Sequence, residues 1–207
     1  MIPQLHEAMV SYLFLALVVV ASVVGFFHRS FYYANVFQPS QVFAGKRLWT
    51  VVTSAIVHGG WLHLLGNVTL CLIFMTEVEY MLVDDFGPLV AGGKLFLLFV
   101  GIVSAANLIA EYQLRKQPEV SAIGLSGFSF AMLVLYYIYY PLDSSPSLPM
   151  LKAYHFALAV PIGCITARLL RIPGNHMVHL AGSLLGLLSA PLVRPEIITE
   201  LGAYFQT

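Results

Sequence analysis

The chain has 207 residues, 59% of them hydrophobic and only 10% charged, with a mean hydropathy of +0.83 and a formal net charge of zero. So few charges cannot coat a soluble globule of this size, which excludes that class and predicts a polytopic membrane protein whose membrane domain is the chain itself. Zero net charge gives no basis for nucleic-acid binding, and no basic run reads as a patch for anionic lipid. Cys71 and Cys164 both fall in apolar runs, where a free cysteine behaves as a small buried hydrophobe, so neither a disulfide nor thiol chemistry is expected.

Apolar runs predict membrane-spanning helices near 9–27, 62–83, 92–110, 126–140, 150–170 and 176–192. The first is preceded only by His6 and Glu7, lacks a basic n-region and is longer than a signal-peptide core, so it is expected to stay in the mature protein. The connection over 28–61 interleaves Phe31, Tyr32, Tyr33, Phe37, Phe43, Trp49 and Trp61 with Arg29, Lys46 and Arg47. Amphipathic rings and long cations of this kind favour the membrane interface, so the segment should lie half-submerged, either as an aromatic belt alone or as one that also walls or gates the cavity beside Ser126.

The fourth run is too short to cross a bilayer. From Ser126 to Tyr140 it holds roughly 15 residues, about 22 Å at helical rise against about 30 Å of hydrocarbon. Its helix must begin inside the membrane, and non-helical backbone is tolerated there only where protein buries it or water reaches it. Val120 to Leu125 should therefore line a wet cavity. Asp143-Ser144-Ser145-Pro146-Ser147 reads as a short turn between the fourth and fifth helices. There is no internal repeat, and residues 193–207 form a tail to a single domain.

Because the helices alternate in direction, the second, fourth and sixth start from one side, and each opens with polar residues. The second carries His58-Gly59-Gly60-Trp61-Leu62-His63-Leu64-Leu65-Gly66-Asn67, the fourth Gly124-Leu125-Ser126-Gly127, and the sixth His176-Met177-Val178-His179. Ionisable residues inside a membrane helix are costly, so clusters at one depth imply one site. Ser126 is the candidate nucleophile and needs a base to accept its proton, for which His179 is the better candidate. His63 and Asn67 are four apart on one helical face and can aim an imidazole and a carboxamide N–H at a developing oxyanion. Glu77 and Glu79 lie about 21–24 Å along the axis from His63, so they cannot orient His179, and the chemistry is expected to run on a Ser–His dyad. Gly182 and Gly186 on the sixth helix, opposite Gly127 and Ala131 on the fourth, form small-xxx-small pairs that allow close backbone approach.

These motifs, in this order, resemble the rhomboid intramembrane serine proteases, together with Leu48-Trp49-Thr50 before them and His179-Leu180-Ala181-Gly182 with Gly186 at the end. The resemblance covers about 46–190 and implies an all-α, six-helix rhomboid-like bundle over residues 1–207, an integral multi-pass membrane protein, in the cell or inner membrane if bacterial. It implies Ser126 as nucleophile and His179 as general base, with His63, Asn67 and the Ser126 backbone N–H as the oxyanion hole. His58 resembles the family's additional histidine, with a structural role. The implied substrates are transmembrane proteins within the bilayer, cut near its surface and often after a small residue. No cofactor, metal or nucleic acid is implied.

Phe130 stands where many members have a tyrosine that stacks on the base, so stacking can survive without the hydroxyl. Val178 replaces the usual alanine before that base. Arg29, Lys46, Arg47, Arg115, Lys116, Arg168 and Arg171 crowd the side that carries the site, against Lys94, Lys152 and Arg194 opposite. By the positive-inside rule this faces the site to the cytoplasm, whereas the resemblance to bacterial members implies the outer face. Two rival readings accompany the protease: a catalytically inactive relative that binds membrane clients, and a metal or haem protein using His58, His63, His176 and His179.

Overall fold

The computed structural model describes residues 2–144 and 149–206. All regular structure among them is helical, as a bilayer demands of backbone that has no water to bond. The membrane helices are α1 (Met9–Phe27), α5 (Trp61–Phe86), α6 (Pro88–Glu111), α7 (Ser126–Tyr139), α8 (Ala153–Leu169) and α9 (His176–Val193). Short helices α2 (Arg29–Asn35), α3 (Pro39–Val42) and α4 (Thr50–Thr53) occupy the long connection, and α10 (Glu196–Tyr204) follows α9. The chain has several helices long and apolar enough to span, with α7 and α8 shorter, and is a multi-pass integral membrane protein of the all-α class expected.

The predicted boundaries hold with physical exceptions at the ends. α5 and α6 run on past their apolar windows until a single residue, Gly87, reverses the chain at φ +77°. A β-carbon is disfavoured there, and Pro88 follows at the first helical position, where its missing N–H costs nothing. α8 begins late because Lys152 pairs with Ser144 in an isolated antiparallel bridge. Ser145, Pro146 and Ser147 of the expected turn lie outside the described residues. The tail is α10, anchored where Arg194 forks onto Glu200 and also donates to the Tyr139 carbonyl at 2.7 Å.

α7 is the central helix: Phe128, Ala131, Met132, Val134, Leu135 and Tyr139 are almost wholly buried by the helices around it. Its tightest neighbour is α9. A Cβ on Gly182 would overlap the Gly127 carbonyl oxygen, and one on Gly186 would lie 2.8 Å from the Ala131 oxygen and 3.0 Å from its Cα. The two backbones are in contact at successive turns, a distance that only glycine on α9 permits.

Glu79 does a different job from a surface charge. It is 2% exposed, and its carboxylate accepts the backbone N–H groups of Val10 at 2.9 Å and Ser11 at 2.6 Å. The first N–H groups of α1 have no partner within their own helix, so Glu79 caps α1 from α5, where the helix dipole also favours negative charge.

Gly182→Ala should lower thermal stability in detergent by about 1–3 kcal/mol through forced separation of α7 and α9. Gly163→Ala, whose Cβ meets nothing within 4 Å in mid-α8, should be neutral or stabilising by about 0.5–1 kcal/mol. Glu79→Ala should cost about 1.5–3 kcal/mol for its charge-assisted bonds, read as a lower melting temperature.

Candidate active site

Ser126 is the first residue of α7, and the segment before it is held in place from two directions. Ala122 exchanges both backbone hydrogen bonds with Phe37, at 3.1 and 2.9 Å, and the Gly124 N–H donates to the Ser54 carbonyl at 2.9 Å. The connection between α1 and α5 thus supplies the partners that this short stretch of non-helical backbone needs inside a membrane. Asn107 of α6 braces the same connection by donating to the Val51 carbonyl at 2.8 Å and the Ser54 hydroxyl at 3.2 Å. Phe37 is fully buried, unlike the belt residues Tyr33, Trp49 and Trp61, which are mostly exposed. Arg47 is turned inward onto the Gln38 side chain and the Tyr33 and Val36 carbonyls.

Gly124 adopts φ +102°, a conformation that disfavours side chains, and the space is closed as well: a Cβ there would lie 2.6 Å from Cε1 of His63. The imidazole of His63 therefore rests on the backbone that leads into Ser126. The expectation of a wet cavity along Val120 to Leu125 needs correction at its ends. Ala122, Ile123 and Gly124 line the cavity with Ser126, whereas Leu125 is fully buried and Val120 and Ser121 border a neighbouring cavity.

A cavity of about 440 Å³ brings together Ser126, His179, His63 and Asn67, along with Gly124 and Phe130. Ser126 and His179 line it without a hydrogen bond between their side chains among the described contacts. Such bonds commonly tighten only when substrate is present. The His179 ring lies parallel to Phe130, with centroids 4.2 Å apart and planes 1° apart, and meets His176 edge-on at 5.9 Å. Stacking on position 130 thus survives without a hydroxyl. Val178 reaches over the small residue that follows the serine, its Cγ1 3.0 Å from where a Gly127 Cβ would be.

Asn67 is 3% exposed; its Nδ2 donates to the His63 carbonyl at 3.0 Å, and its Oδ1 accepts from the Ser129 hydroxyl at 3.2 Å. His58 is fully buried, with its Nδ1 2.8 Å from the Ser22 hydroxyl, which itself donates to the Ile56 carbonyl at 3.0 Å. The serine's one proton is committed, so Nδ1 of His58 carries the hydrogen. Burial, with His63 beside it, holds His58 below the usual histidine range. Its ring touches His63 edge-on at 5.0 Å and sits behind it rather than in the cavity.

Sequence reasoning missed several participants. Glu111, at the end of α6, is 3% exposed and accepts from Asn175 Nδ2 at 2.8 Å. Asn175 in turn caps α9, its Oδ1 accepting the Val178 N–H. An acid therefore does lie at this end of the bundle, acting on the helix that bears His179 rather than on the imidazole. The asparagine directly before an apolar run was a readable cap signal; Ser129 and Ser22 carried none. Among the described residues no three His, Cys, Asp or Glu side chains converge as a metal site.

A serine on a helix N-terminus, an imidazole and a carboxamide thus line one cavity, and they are residue types that acyl transfer uses. Comparison with curated proteins returns no match. The chain does match the Rhomboid domain over residues 45–196, about three-quarters of its length. It belongs to the rhomboid family, whose members are generally intramembrane serine proteases.

Proposed function

We propose that this protein is a serine endopeptidase that cuts transmembrane segments of other membrane proteins, with Ser126 as nucleophile and His179 as general base. The observation that carries the reading is the convergence of Ser126, His179, His63 and Asn67, from the same ends of three helices, on one cavity. Family membership supports the class of reaction.

The Ser126 hydroxyl gives its proton to the His179 imidazole as Oγ bonds to the scissile carbonyl carbon. The carbonyl oxygen becomes an oxyanion, which accepts from the His63 imidazole N–H, the Asn67 Nδ2 and the Ser126 backbone N–H. The last of these is one of the donors that a helix start leaves without an internal partner, at the positive end of the dipole. The C–N bond then breaks, and the imidazolium protonates the leaving amine. Water attacks the resulting ester, His179 takes the proton of that water and returns it to Ser126, and the new carboxyl terminus departs. The Phe130 face and the capped start of α9 hold the base in place of a carboxylate.

A substrate helix has its carbonyls hydrogen-bonded internally, so it must unwind before Ser126 reaches one. Favoured substrates therefore carry helix-breaking residues near the scissile bond. They approach past the start of α5, where Leu62 and Gly66 line the cavity and Leu62 is 88% exposed.

The test is labelling of detergent-purified protein with a serine-directed fluorophosphonate. Wild type should label, and Ser126→Ala and His179→Ala should not; folded wild type that fails to label would support a client-binding relative without catalysis. Asn67→Ala should slow labelling by about 10²–10³-fold, the usual effect of removing one oxyanion donor. Phe130→Leu should slow it by about 2–10-fold, the worth of one aromatic stack.

A further inference from the structure

Ser129 lies one turn beyond Ser126 on α7, faces α5 rather than the cavity, and is fully buried. Its hydroxyl oxygen is 3.2 Å from each of three atoms: the Asn67 Oδ1, the Leu125 carbonyl and the Cys71 Sγ. The donor accounting is closed. Asn67 Oδ1 and the Leu125 oxygen can only accept, Ser129 has a single O–H to share between them, and Cys71, also fully buried, can fill a lone pair of Ser129 with its S–H.

The same accounting fixes which way the Asn67 carboxamide points. The atom 3.0 Å from the His63 carbonyl must be nitrogen, because that carbonyl donates nothing, and the oxygen then faces Ser129. Asn67 Nδ2 keeps a second N–H, and Asn67 lines the cavity. A flipped amide would set oxygen against the His63 carbonyl and present an acceptor to a forming oxyanion.

We infer that Ser129 is a positioning residue for catalysis, the group that locks the Asn67 carboxamide with its donor toward the reacting carbonyl, with Cys71 behind it in a Cys71–Ser129–Asn67 relay. The inference rests on the protease reading. Preorganisation of this kind decides how much an oxyanion donor is worth, since a loosely held amide must be reoriented during the reaction. It also gives the α5 and α7 helices a polar contact beside the cavity, added to the back-bond that Ser129 makes within its own helix to Leu125.

The experiment is a double-mutant cycle read as the fluorophosphonate labelling rate of folded, detergent-purified protein, with melting temperature followed in parallel. Ser129→Ala should slow labelling about tenfold in the wild-type background and less than about twofold in Asn67→Ala, because the hydroxyl acts only through that amide. Ser129→Thr against Ser129→Val, near-isosteres that differ in the hydroxyl, covers the case in which the alanine variant does not fold; the threonine protein should label several-fold faster. Equal slowing in both Asn67 backgrounds, equal rates for Thr and Val, or an unchanged rate in Ser129→Ala overturns the positioning role while leaving the protease intact. Wild type without Ser126-dependent labelling overturns the protease reading and this inference with it.

Discussion

Contact between the backbones of α7 and α9 is the constraint on which the rest depends. Where Gly182 meets the Gly127 carbonyl and Gly186 meets Ala131, no side chain separates the two helices. Ser126 and His179 sit one turn or less from the first of these contacts, so the glycines set how closely the helix starts that carry them approach. In a membrane this is a natural way to hold a site. Lipid offers helices no hydrophobic reason to associate, and close van der Waals packing between small residues replaces it.

The non-helical segment before α7 leaves backbone groups that need partners, and the connection between α1 and α5 supplies some of them. Phe37 bonds Ala122 and Ser54 bonds Gly124, so the segment that delivers Ser126 to the cavity is anchored by protein rather than by lipid. Polar side chains serve the same end elsewhere in the bundle: Glu79 caps α1, Asn175 with Glu111 caps α9, and Asn107 secures the connection itself. Glu79, Glu111 and Asn107 are buried polar groups with their partners supplied, as burial requires.

Much of this was legible in the sequence because the bilayer allows so few solutions. Hydropathy located the membrane helices within a few residues, and the short run after Ser126 is a short helix that begins at that serine. The small residues at 127, 131, 182 and 186 foretold the close pair, and the spacing of His63 and Asn67 put them on one helical face. What escaped was whatever depended on distant residues meeting. Glu79 could be read only as too far from His63 to orient His179, because nothing local shows that α1 begins beside it, and nothing local marks Glu111 as the partner of Asn175. Ser129 is an ordinary small polar residue in an apolar run, and only the fold sets it against Asn67. Of the aromatic segment, Tyr33, Trp49 and Trp61 are mostly exposed, whereas Phe37 is fully buried and its backbone forms an isolated bridge with Ala122.

The most direct test of intramembrane proteolysis through Ser126 is to co-reconstitute the protein in liposomes with a single-span membrane protein carrying a helix-breaking residue near one end of its span. The new termini would then be mapped by mass spectrometry. The account predicts cleavage at a peptide bond inside or at the edge of that span, absent with Ser126→Ala and with His179→Ala. An intact substrate alongside folded wild-type protein, or cleavage that persists in Ser126→Ala, would contradict it.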